Sequence, residues 1–158
     1  MDEAYALAYE KRPTMVVRFS LSGDELSPAI ITEQLGIPPS ESWRKGDAVP
    51  ISHRTTFEPR KTRMFGRWAL SPNCSPYDDF EAQLESLLSM LAPVAPILRT
   101  LAVQYNGEIK VAYSSGESNF GFHLSAELIN RLQTLAVAVD FDIYPVVDDS
   151  ATTDDAEF

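Results

Sequence analysis

Phe-Gly-Phe-His-Leu-Ser-Ala-Glu-Leu-Ile-Asn-Arg-Leu-Gln-Thr-Leu-Ala-Val-Ala-Val-Asp-Phe-Asp-Ile-Tyr, residues 120–144, holds both kinds of hydrophobic period in one run. Ser125 stands where a helix N-cap belongs, Glu127 falls in the first turn, and Leu128, Ile129, Leu132 and Leu135 repeat at the spacing of one helix face. From Val137 the period drops to two. Val137, Val139, Phe141 and Ile143 alternate with Ala138, Asp140, Asp142 and Tyr144, which is a strand with an apolar face and a face carrying two carboxylates. A capped helix feeding directly into a strand requires a sheet for that strand to join.

Working outward, Met15, Val17, Phe19 and Leu21 alternate with polar or small residues and predict a half-buried strand over 14–21. Ser27 and Pro28 open a helix that Gly36, Pro38 and Pro39 close. Arg67 to Leu70 reads as a short strand. Tyr77 to Leu91 reads as a helix on Phe80, Leu84, Leu87, Leu88 and Leu91, broken by Pro93 and Pro96. Leu101, Val103 and Tyr105, then Ile109, Val111 and Tyr113, flank Asn106-Gly107 and predict a hairpin across 100–113, with a single strand after an irregular turn as the rival. The order predicts an α+β domain: a mostly antiparallel sheet with helices on one face, of ferredoxin-like character, interrupted by one long basic insertion. A lead-in (1–13) precedes the single globular domain (14–145), and a disordered acidic tail (146–158) with five acids and no base follows it.

The chain of 158 residues is 44% hydrophobic with a net charge of −10, which argues against nucleic acid and anionic membranes as partners. An acidic start, Met1-Asp2-Glu3, and no run near the ~18 apolar residues of a membrane span predict a cytoplasmic protein. Cys74 is the only cysteine and lies in a turn-rich connection, so it reads as a loop residue rather than a nucleophile.

Against that acidic background, residues 44–67 hold seven of the thirteen basic residues and only Asp47 and Glu58 as acids. Arginines interleaved with Trp43, His53, Phe57, Phe65 and Trp68 suit recognition of a phosphate, a nucleotide or an acidic protein segment; the simpler reading is that the insertion folds onto its own acidic body. The candidate contact residues are Trp43, Arg44, Lys45, Arg63, Arg67 and Trp68, together with Asp140 and Asp142. Those two carboxylates share a strand face with about 7 Å between their α-carbons at ~3.4 Å per residue. They hold a metal or act as acid and base only with further ligands, and otherwise pair with Arg18 or Arg67 or face water. His53 and His123 fit no ligand spacing, and no phosphate loop, nucleophile elbow or dinucleotide fingerprint occurs, so no catalytic residue, metal or cofactor is assigned.

Phe19-Ser20-Leu21-Ser22-Gly23-Asp24-Glu25-Leu26, Gly36-Ile37-Pro38-Pro39, Trp43-Arg44-Lys45-Gly46-Asp47, Gly66-Arg67-Trp68, Gly121-Phe122-His123-Leu124-Ser125 and Asp140-Phe141-Asp142-Ile143-Tyr144 form a set. Across residues 14–145 it resembles a bacterial domain-of-unknown-function family, number 4279. The resemblance implies a small stand-alone protein and brings no catalytic residues. The sequence is therefore read first as a non-catalytic acidic binding module for another protein, immunity or antitoxin-like. The alternatives are a small anionic-ligand or phosphate-binding protein with weak hydrolase activity, and a homodimeric scaffold pairing through a sheet edge at 100–113.

Overall fold

The computed structural model describes residues 13–50, 61–115 and 121–145. The expectations for the lead-in, for His53, Arg54, Phe57 and Arg60, and for the acidic tail lie outside the described residues.

Five strands form one sheet in the order β2-β3-β1-β4-β5, with β1 Thr14–Gly23, β2 Glu41–Trp43, β3 Gly66–Leu70, β4 Glu108–Ser115 and β5 Ala138–Pro145. Neighbours from β2 through β4 are antiparallel, and β5 joins β4 in parallel. The first four strands and their helices form two β-α-β halves in ferredoxin-like order, so the α+β class and the mostly antiparallel sheet read from the sequence are those of the protein. Because β5 runs parallel to β4, its connection must cross over, and α4 (Ala126–Leu135) is that crossover.

Each helix follows from local chemistry. α1 (Pro28–Leu35) begins with Pro28, whose missing N–H is no loss in the first turn, and ends at Gly36 with φ 66°, a left-handed cap. In α4 the Ser125 hydroxyl accepts from Leu128 N, Leu128 and Leu135 are buried, and Ile129 turns out to the surface rather than joining the apolar face. α2 (Phe80–Leu91) passes through a 3-10 turn (Ala92–Val94) into α3 (Ala95–Gln104).

That last run departs from expectation after Leu91. α2 ends at Leu91, ahead of Pro93 and Pro96, as expected; the chain nevertheless stays helical in outline, because each proline occupies a first-turn position of the segment it opens, where proline is tolerated. Residues 100–104 are helical: Leu98, Leu101 and Ala102 are buried at i, i+3 and i+4, while Val103 is 86% exposed, so the alternation read as a strand was coincidental. The hairpin and the proposed dimer edge at 100–113 are thereby withdrawn, since β4 lies inside the sheet between β1 and β5. By length and composition alone Phe80–Gln104 is apolar enough to cross a membrane, with a mean hydropathy of 1.6 over an 18-residue window, contrary to the reading that no segment comes near. Here its apolar side packs on the sheet: Phe80, Leu84, Leu87, Leu88, Leu91, Leu98 and Leu101 belong to one core with Val17, Phe19, Leu21, Trp68, Ile109 and Val111.

Strand register puts that core on one face. Phe19 pairs with Leu70 and Ile109, Leu21 with Trp68, and Val17 with Val111. Where β3 stops alongside β1, Gln83 of α2 takes its place: its Oε1 accepts from Val17 N at 3.3 Å and its Nε2 donates to Met15 O at 3.1 Å. A buried glutamine thus extends the ladder and satisfies backbone groups that would otherwise be unpaired.

The opposite face carries Arg18 and Val16 of β1, Arg67 of β3, Lys110 and Ala112 of β4, Asp140 and Asp142 of β5, and Glu41 and Trp43 of β2. Among the described residues no helix packs on it.

Candidate functional site on the open sheet face

On this face Val16, Arg18, Arg67, Lys110, Ala112, Asp142 and Tyr144 line a hollow of about 430 Å³. Three cations thus meet over the middle strands, and their partners differ. Arg18 donates from Nη1 to Glu41 Oε2 at 2.8 Å and from Nε to Ser71 Oγ at 3.2 Å. Lys110 lies 3.1 Å from Asp142 Oδ2 and 3.4 Å from Asp140 Oδ2. The bond to Asp142 raises the lysine above its ordinary value; burial opposes it, and the bond to Asp140 adds to the rise.

Arg67 is the exception. Its Nε is buried and donates to no acceptor among the described residues. Burial lowers the guanidinium from its ordinary value and the like charge of Arg18 lowers it further, while Glu41 and Glu108 oppose from a distance. The guanidinium carbon sits 5.6 Å from the centre of the Trp43 ring, and that of Arg63 sits 3.7 Å from the same ring. Trp43 is fixed by its Nε1, which donates to Phe65 O at 3.0 Å.

The described part of the basic insertion extends the β2–β3 hairpin. Gly46 N donates to Arg63 O, Arg63 N to Asp47 O and Val49 N to Lys61 O, and Ala48 pairs with Thr62. Gly46 adopts φ 89° in the bend, and Arg44 N donates to Asp47 Oδ2 at 2.7 Å, so the aspartate closes a tight turn around the glycine.

The eight sequence candidates therefore separate. Trp43, Arg63, Arg67, Asp140 and Asp142 share the open face or its Trp43 rim. Arg44 and Lys45 stand in the bend outside the hollow, and Lys45 pairs with Asp24 at 2.7 Å. Trp68 is wholly buried on the core face, where its Nε1 donates to Thr32 Oγ1 at 3.1 Å, so it leaves the candidate set. The two aspartates pair with Lys110, not with Arg18 or Arg67. Arg18 and Lys110 were not singled out as site residues; both alternate with apolar core positions, but only strand register shows that they meet.

A family model described as Domain of unknown function (DUF4279) matches residues 12–146. The chain belongs to this family. No curated protein and no solved structure matches it. Membership in the DUF4279 family accounts for the resemblance carried by Trp43-Arg44-Lys45-Gly46-Asp47 and Asp140-Phe141-Asp142-Ile143-Tyr144 and assigns no chemistry to either motif.

Other features offer less. Cys74 is a partly buried, free cysteine. His123 is 81% exposed at its side chain, 4.0 Å from Glu81 Oε1, beside a hollow lined by Asp79, Glu81 and Glu85. Among the described residues no three histidine, cysteine, aspartate or glutamate side chains are grouped as metal ligands would be.

Proposed function

We propose that this protein is a non-catalytic binding module whose working surface is the open sheet face, and that Arg67 receives an acidic group of a protein partner there. One observation carries the reading: of the three cations in the hollow, two are held by carboxylates, while the Arg67 guanidinium keeps a buried Nε–H with no acceptor among the described residues. An unmade hydrogen bond at a charged, desolvated donor is unfavourable, and a carboxylate in the hollow that draws the guanidinium outward would satisfy it. Val16, Ala112 and Tyr144 line the same hollow and give such a segment apolar surface to cover. Trp43, with its ring already engaged by Arg63, supplies an aromatic rim of the kind that anchors protein interfaces. An immunity or antitoxin-like role is one use of such a module.

A small anion such as phosphate is the second reading, since the same guanidinium would take it. Both are tested by titrating the protein with a Glu-Ser repeat peptide and with inorganic phosphate, monitored by calorimetry. Arg67→Ala weakens binding by about 10–100-fold, the worth of ~1.5–3 kcal/mol for a charge-assisted bond. Arg44→Ala with Lys45→Ala changes it by about twofold at most, as rim charges do. Equal losses in the two variants, or none in Arg67→Ala, would reject the site.

A further inference from the structure

We infer that the outer edge of β5 is a second docking surface, one that takes an extended partner segment with basic and apolar side chains at alternate positions. The two edges of this sheet are built differently. β2 closes one side with only three residues, whereas β5 presents eight. Among the described residues nothing pairs with β5 on the side away from β4. A long edge of this kind leaves a row of backbone donors and acceptors ready to pair with another strand.

Its side chains specify what would fit. On the core face Phe141 and Ile143 remain 38% and 43% exposed, although their register partners Val111 and Tyr113 are buried and half-buried. Phe141 packs on Phe80 and Phe122 at centroid distances of 5.9 and 5.3 Å, so it extends the core to the edge without being covered there. On the other face Asp140 and Asp142 alternate with these apolar residues and share the one ammonium of Lys110. An added strand would place alternate side chains beside Phe141 and Ile143 and the intervening ones beside the two aspartates. Apolar residues suit the first set and lysine or arginine the second, since opposite charges across a strand pair attract and like charges repel.

The same argument excludes two other occupants. A second copy paired antiparallel about Phe141 sets Asp140 of each chain opposite Asp142 of the other, adding two further carboxylates to an edge already in excess of negative charge. The 146–158 segment contains five acidic residues and no basic one, so its charge is also of the wrong sign.

The test uses the full chain labelled with nitrogen-15 and two synthetic peptides, Thr-Val-Lys-Ile-Arg-Val-Lys-Thr and its counterpart with glutamate at the three basic positions. The basic peptide perturbs amides of 138–145, slows their hydrogen exchange and binds about tenfold or more tightly than the acidic one, as two favourable cross-strand charge pairs imply. Asp140→Asn with Asp142→Asn reduces that preference to about threefold or less. Arg67→Ala leaves the affinity of the basic peptide unchanged and does not lessen its advantage over the acidic one, which separates this edge from the Arg67 hollow. Equal affinity for the two peptides, binding of neither, or perturbations confined to other elements would overturn the inference; the peptide comparison on the unaltered chain does not depend on any variant folding.

Discussion

The guanidinium of Arg67 lies 5.6 Å from the centre of the Trp43 ring, held across the open sheet face while its Nε finds no acceptor among the described residues. Neither neighbour accounts for the full donor capacity of the arginine. Arg18, which shares the hollow, is occupied by Glu41 and Ser71, and Trp43 gives its indole face without accepting a hydrogen bond.

Stability and binding should therefore respond differently to Arg67. Replacing it with methionine keeps the aliphatic stem and removes a desolvated donor, so Arg67→Met leaves unfolding free energy within about 1 kcal/mol of wild type or slightly raises it. Urea denaturation checks this. A clear loss, near ~3 kcal/mol, would mean that the guanidinium is a structural tie.

Gln83 makes the opposite prediction. It is buried, and its amide bonds Val17 N, Met15 O, Ser75 O and Asp78 O, so leucine at this position leaves strand β1 and the 75–78 loop with unpaired backbone groups. Gln83→Leu should cost about 2–4 kcal/mol in denaturant unfolding, although it is more apolar and favours helix as well. A neutral result would show that the loop backbone re-pairs by itself.

The legibility of the fold divides along physical lines. The helix–strand run at 125–145 and α1 could be read because their signals are local: a serine cap, a proline at the first position, a glycine at φ 66°. The Asn106-Gly107 turn was also recognised, and Asn106 does take φ 47°, but the turn joins a helix to a strand. A Cβ on Gly107 would lie 2.4 Å from the Ala102 Cβ, so the glycine is needed for the chain to pass close to α3, a requirement that says nothing about what precedes it. The site was half legible. Arg67, Asp142 and Trp43 stood out by composition, whereas Arg18 and Lys110 join them only through the non-local pairing of β1 with β3 and β4, which periodicity does not encode. Trp68 was misassigned because an aromatic beside an arginine looks alike in sequence whether its side of the strand faces core or solvent.

Lys110 supplies a pH signature. Its bonds to Asp142 and Asp140 raise it above the ordinary lysine value of 10.5 in the folded chain. A raised group stabilises fully below its unfolded pKa and loses that contribution as pH climbs through the folded one. The stability difference between wild type and Lys110→Met should thus be flat from about pH 7 to 10, amount to about 1 kcal/mol or less, and close above the ordinary lysine value. Thermal melts across that range at low salt test it. A difference that vanished near neutrality would contradict the pairing.

The most direct measurement follows the Arg67 Nε–Hε resonance by proton–nitrogen correlation while the Glu-Ser repeat peptide is added to the full chain. The resonance should move downfield and saturate together with the calorimetric binding curve, as a donor gains its missing acceptor, while the Arg18 Nε–Hε, already bonded to Ser71, stays nearly still. Saturable peptide binding that left the Arg67 resonance unmoved would place recognition elsewhere on the protein and contradict the account.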